Sequence, residues 1–107
     1  MKELNKEYIF TYKIEITNES KKTVQLKSRF WKIHQFSKPA SIRVVEGEGV
    51  VGEQPIIKPG KSFQYSSYCN LTHFKGSMEG WFNFIDIENE NEFKVDVNEF
   101  TFDLLKE

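Results

Sequence analysis

One cysteine, Cys69, and two histidines, His34 and His73, are spread over 107 residues. A lone cysteine excludes an internal disulfide and fits a reducing cytoplasm. So few nitrogen and sulfur donors argue against a transition-metal centre, which draws on several such ligands. No metal ligand, and no cofactor, is assigned from the sequence. Apolar runs long enough to span a bilayer are missing, and "MKELNKEYIF" lacks the apolar centre of a signal peptide, so membrane insertion and export are not expected. Net charge is −1, without the basic excess that general nucleic-acid binding requires. Repeats and linkers are also absent, and the expectation is a single domain over residues 1–107.

Helical periodicity is missing as well; period two takes its place. In "YIFTYKIEIT" the apolar set is Tyr8, Phe10, Tyr12, Ile14 and Ile16, with Lys13, Glu15 and Thr17 between them. That alternation reads as a half-buried strand. In "TVQLKSRFWKIHQF" the phase starts on Val24, Leu26 and Phe30 and moves to Trp31 and Ile33, which predicts a bulge near Arg29 to Trp31. "IRVVEG", "SFQYSSYCNL", "GSMEGWFNFIDI", "EFKVDV" and "FTFDLL" continue the pattern, separated by short polar or Pro-Gly turns. Phe63, Tyr65, Ser67, Cys69 and Leu71 share one face, and Phe93, Val95 and Val97 are expected to point inward. Six to eight antiparallel strands in this length describe an immunoglobulin or fibronectin type III-like β-sandwich, with a small barrel as the alternative.

The stretch "GEGVVGEQP" has the G-x-G-x-x-G spacing at Gly47, Gly49 and Gly52. In a dinucleotide site such glycines end a strand and open a helix, whose first N–H groups meet the phosphates. Here Val50 and Val51 are β-branched, Pro55 comes soon after, and Glu48 and Glu53 would repel a phosphate. The favoured reading is backbone geometry: positive φ or close packing. The loop from Gly47 through Glu48, Gly49, Val50, Val51, Gly52 and Glu53 nevertheless stands as a candidate binding element, for nucleotide or pyrophosphate in the minority reading.

This loop, the "KPGKSFQYSSYCNL" after it, the "SRFW" of Ser28 to Trp31 and the "GSMEG" of Gly76 to Gly80 together resemble the ApaG family. The similarity runs from about Tyr8 to Leu104. It implies a fibronectin type III-like sandwich in a cytoplasmic bacterial protein. It also implies kinship with domains of an F-box protein and of a polymerase-interacting protein that look like protein-binding modules. Members are linked by name to cobalt and magnesium efflux, which implies an alternative role in divalent-ion homeostasis with direct ion binding. Phe30 stands where a His commonly precedes the Trp, Asn70 where a Pro comes after the Cys, and Phe82 where a Tyr is usual. No role of that His or Tyr transfers to this chain.

Catalytic residues are not found. Ser66, Ser67 and Cys69 have no histidine or acid placed beside them by sequence, and no nucleophile elbow is present. Asp86, Glu88, Glu90 and Glu92 read as a solvated hairpin tip, because the Gly and spacing of a calcium loop are lacking. The expectation is therefore a non-enzymatic module that binds a protein partner, and a homo-oligomer is compatible with it. Charge suggests where. Ser20 to Val45 holds seven Lys or Arg and no acid, while Glu79 to Glu107 holds nine Asp or Glu. If the second and fifth strands share one sheet and the sixth and seventh the other, Lys27, Arg29 and Lys32 form a basic docking face for an acidic segment. Cross-strand pairing of the charges would cancel it.

Overall fold

A computed structural model describes residues 6–105 as an all-β, antiparallel architecture. Seven strands run in order: β1 (Tyr8–Thr17), β2 (Val24–Gln35), β3 (Ser41–Glu48), β4 (Ile56–Ile57), β5 (Ser62–Leu71), β6 (Lys75–Asp86) and β7 (Glu92–Asp103). β1 and β5 make a two-stranded sheet. The other sheet has five strands, in the order β3-β2-β6-β7, with β4 beside the first residues of β2. Alternation in the sequence sets which side chains meet between the sheets, since successive residues of a strand face opposite sides.

The buried set comes from both layers: Val24, Leu26, Trp31 and Ile33 of β2, Met78, Phe82 and Phe84 of β6, Phe102 of β7, and Tyr65, Cys69 and Leu71 of β5. Aromatic rings organise it. Trp31 lies edge-on to Tyr12, Phe82 and Phe100, at centroid distances of 6.2, 5.6 and 6.0 Å. Such edge-to-face contacts add to the area that the rings bury.

The bulge in β2 lies between Leu26 and Ser28, not at Arg29 to Trp31. The cause is the extra residue Lys27. Its carbonyl accepts from the Gly49 N–H at 2.8 Å and from the Gln54 side-chain amide at 2.9 Å, so it serves the glycine loop rather than the ladder. From there on the odd-numbered residues face the core, and Arg29 shares the inward phase of Trp31 and Ile33.

At the far end Asn18 joins two turns. Its side-chain amide donates to the carbonyls of Lys22 (2.7 Å) and Ile57 (2.8 Å), and its side-chain oxygen accepts from the N–H and hydroxyl of Ser20. Its backbone N–H donates to the Lys61 carbonyl at 2.9 Å, and its own carbonyl accepts from the Gly60 N–H at 2.8 Å. A buried asparagine so fully satisfied fixes the β1–β2 and β4–β5 turns to each other.

Sheet membership differs from the arrangement that would separate the charges. β2 lies in the same sheet as β6 and β7, while β5 pairs with β1. In the immunoglobulin scheme the second and fifth strands of a full set pair on one sheet and the third, sixth and seventh on the other. β1 thus takes the second-strand place. Among the described residues, no strand takes the first place, along the outer edge of β1.

Candidate functional site: an open edge and a clamped loop

That edge is where the sandwich is incomplete. Near the start of β1 and the end of β7 the layers close: Phe10 stacks on Phe102 at 5.0 Å, and Tyr12 meets Phe100 at 5.7 Å. Toward the other end the strands diverge, and Ile14 and Ile16 face Phe84, Phe93, Val95 and Val97 across a groove of about 550 Å³. Phe93 and Val95 point inward as their alternation requires, yet remain 42% and 43% exposed because no described residue covers them. Beside this apolar floor β1 hydrogen-bonds to β5 on one side and, among the described residues, to no strand on the other. Unpaired edge backbone next to an apolar strip is the arrangement that takes up an added strand. Sequence periodicity correctly puts these side chains on the core side, but it cannot show that no described strand covers them.

The glycine loop has a different construction. Val50 and Glu53 pair as a two-residue hairpin, exchanging N–H···O bonds of 2.8 and 2.9 Å. Its central residues, Val51 and Gly52, both have positive φ, 44° and 80°. Such primed turns match the twist of a hairpin, but a β-branched residue there is strained. Gly49, at φ 64°, admits no side chain at all: a Cβ would lie 2.2 Å from the Glu53 carbonyl oxygen. Arg29 clamps the loop from below, its Nη1 donating to the carbonyls of Glu48 (3.1 Å) and Gly49 (2.9 Å). Beyond the loop the chain enters the short strand β4, not the phosphate-binding helix of a dinucleotide site.

Substitutions should separate these causes. Gly49→Ala is expected to cost more than about 2 kcal/mol, from strain plus backbone overlap. Gly52→Ala, with open space around it, should cost only about 1–2 kcal/mol of left-handed strain. Val51→Gly should stabilise by about 1 kcal/mol. Urea unfolding midpoints at constant m-value measure all three.

Of the remaining sequence candidates, Lys27, Arg29 and Lys32 are not brought together on one solvent face. Lys27 is the bulge residue. Arg29 lines an inter-sheet cleft with Tyr12, Trp31, Tyr65 and Ser67. Lys32 lies on the outer face, directly opposite Glu79 of β6. β6 lies beside basic β2 and acidic β7 beside β6 within one sheet, so opposite charges mix across the ladder and the two-faced charge separation does not form.

This cleft and the neighbouring one lined by Arg43 and Cys69 contain groups that resist ionisation. Burial raises the Tyr65 phenol well above its ordinary range, with the nearby Tyr12 adding to it and Arg29 opposing. Burial likewise raises Tyr12, eased by Ser67, and raises the Cys69 thiol, eased by Arg43. Each folded pKa lies above its unfolded value, so the stabilisation is complete below the unfolded pKa and is lost as pH rises. Stability is expected to hold from neutral pH to about 8.5 and to fall progressively through and above about pH 10, where unfolded Cys and Tyr release protons. Denaturant titrations between pH 7 and 11 measure it.

Comparison with known proteins agrees with this construction. The ApaG domain model matches residues 1–97. Over 96 residues the chain is 45% identical to Protein ApaG of Methylocella silvestris, covering 90% of this chain and 72% of that one. Over 97 residues it is 43% identical to Protein ApaG of Brucella anthropi, covering 91% and 72%. The solved structure of the putative ApaA protein from Bordetella pertussis superposes with a TM-score of 0.85 at 36% identity, covering 92% of this chain and 77% of that one. A solved structural-genomics target superposes at 0.86 with 31% identity, covering 91% and 71%. The chain belongs to the ApaG family, small β-sandwich domains whose function is unclear. Among the described residues, no helix is long and apolar enough to cross a membrane.

Proposed function

We propose that this chain is a non-enzymatic, cytoplasmic protein-binding module that takes one extended segment of a partner protein as an added strand along the outer edge of β1. The observation that carries the reading is the groove between Ile14 and Ile16 of β1 and Phe93 and Val95 of β7, which no described residue covers, beside β1 backbone that no described strand pairs. The partner segment alternates apolar and polar residues. Its apolar side chains enter the groove, while its polar ones face out beside Lys13 and Glu15, which project from β1. Main-chain hydrogen bonds supply affinity in such a mode, and the alternate pockets supply selection. The raised Cys69 thiol, a weak nucleophile while protonated, also favours a binding role over covalent chemistry.

A synthetic peptide alternating Val or Ile with Thr or Lys tests the site by fluorescence titration, against Val95→Asp and Ile16→Asp. Saturable binding lost in both variants, with their circular dichroism unchanged, supports the proposal. Binding that survives both substitutions removes the groove as the docking surface. Concentration-dependent dimerisation that the same substitutions abolish would instead assign the groove to a second copy of the chain, against a foreign partner.

A further inference from the structure

The outer face of the five-stranded sheet carries a second constellation, independent of the groove. His34 of β2, Glu79 of β6 and Glu99 of β7 bring one ligand atom each within 4.8 Å of the others. Strand phase accounts for this. Ile33 and Met78 point into the core, so His34 and Glu79 point out. Met78 pairs with Phe100 but Gly80 pairs with Val97, so β7 carries one extra residue, and Asn98 and Glu99 both stand across from Glu79. A bulge of this kind breaks the ladder and redirects a side chain.

Two features separate the cluster from a chance meeting of surface charges. The His34 Nε2 is shut off from solvent and has no hydrogen-bond partner, since the nearest carboxylate oxygen, Glu79 Oε1, is 3.7 Å away. A buried imidazole nitrogen without a partner is costly unless something completes it. Glu99 is held in place by the fully buried Ser77, whose hydroxyl donates to Oε2 at 2.6 Å. Two carboxylates beside each other on one face repel, and a cation between them would reverse that.

We propose that His34, Glu79 and Glu99 bind a first-row divalent transition ion through one imidazole nitrogen and two carboxylate oxygens, leaving its remaining positions open. The mixed N and O donors fit Zn²⁺, Co²⁺ or Mn²⁺ rather than Mg²⁺, which keeps an all-oxygen octahedron. Bonds of about 2.0–2.2 Å require the ligand atoms to draw in toward each other, a movement the exposed Glu99 side chain allows. Ser77 is the positioning residue behind Glu99. Lys32, opposite Glu79 on the same face, opposes the ion.

The test is calorimetric titration of the chelator-stripped protein with Zn²⁺ and Co²⁺, with the visible absorption of bound Co²⁺ as a second readout. One saturable site is expected. His34→Ala and Glu99→Gln should each weaken it more than about tenfold, and Ser77→Ala about tenfold. Lys32→Met should tighten it, while His73→Ala and excess Mg²⁺ should leave it unchanged. Circular dichroism checks each fold. If His34→Ala fails to fold, Glu99→Gln, on an exposed side chain, decides. Absence of saturable binding, or affinity that survives both His34→Ala and Glu99→Gln, overturns the proposal, as does displacement by equimolar Mg²⁺.

Discussion

Gly80→Ala is expected to cost more than about 4 kcal/mol, a large share of the about 5–15 kcal/mol that typical domains hold. The position gives no warning by conformation, since no positive φ is involved. The obstacle is proximity: a Cβ on Gly80 would lie 1.9 Å from the Phe30 carbonyl oxygen, 2.9 Å from its carbon and 3.1 Å from the Trp31 Cα. All three are backbone atoms of β2, the strand that pairs with Gly80 through Trp31. To make room, β2 would have to move away while Trp31 stays in the core, and the two demands conflict. Expression yield and urea denaturation measure the effect. A Gly80→Ala variant within about 1 kcal/mol of the parent would mean that β2 and β6 are not so close.

Trp31→Ala should be comparably severe, at about 3–5 kcal/mol. The indole is 2% exposed and touches rings from both sheets: Tyr12 of β1, Phe82 of β6 and Phe100 of β7. Truncation removes the apolar area and leaves a cavity that these rings, pinned by their own neighbours, cannot fill. Trp31→Phe keeps most of the volume and should lose clearly less. Denaturant unfolding of both variants checks the order, and equal losses would show that volume is not what Trp31 contributes.

The alternation of apolar residues makes most of this architecture legible. Phe63, Tyr65, Ser67, Cys69 and Leu71 do share the core face, and burial does govern the Cys69 thiol. The glycine loop is legible in kind: Gly49 and Gly52 both adopt positive φ. That Val51 joins them is not, because a β-branched residue there is intrinsically disfavoured and only the closed Val50–Glu53 hairpin enforces it. The β2 bulge lies earlier than apolar phase predicts, since phase shows that a shift occurs but not which residue leaves the ladder. A later bulge would turn Arg29 outward, whereas it clamps the loop from within.

Sheet membership depends on counting strands against a scheme, and a count that starts one strand early exchanges the sheets. The expected basic face of Lys27, Arg29 and Lys32 comes from that exchange. The groove is hidden for the same reason, because an edge is open only relative to a strand that no described residue forms. Glu79 and Glu99 are twenty residues apart, and neither is near His34 in the chain. Only the ladder of three strands brings them together.

Amide hydrogen exchange on β1, with and without the alternating Val/Thr peptide, tests strand addition most directly. The Lys13–Thr17 amides that point to the open edge should slow markedly on binding, while those already bonded to β5 change little. Val95→Asp should abolish the protection. Tight peptide binding that leaves every Lys13–Thr17 amide exchanging at its free rate would contradict strand addition.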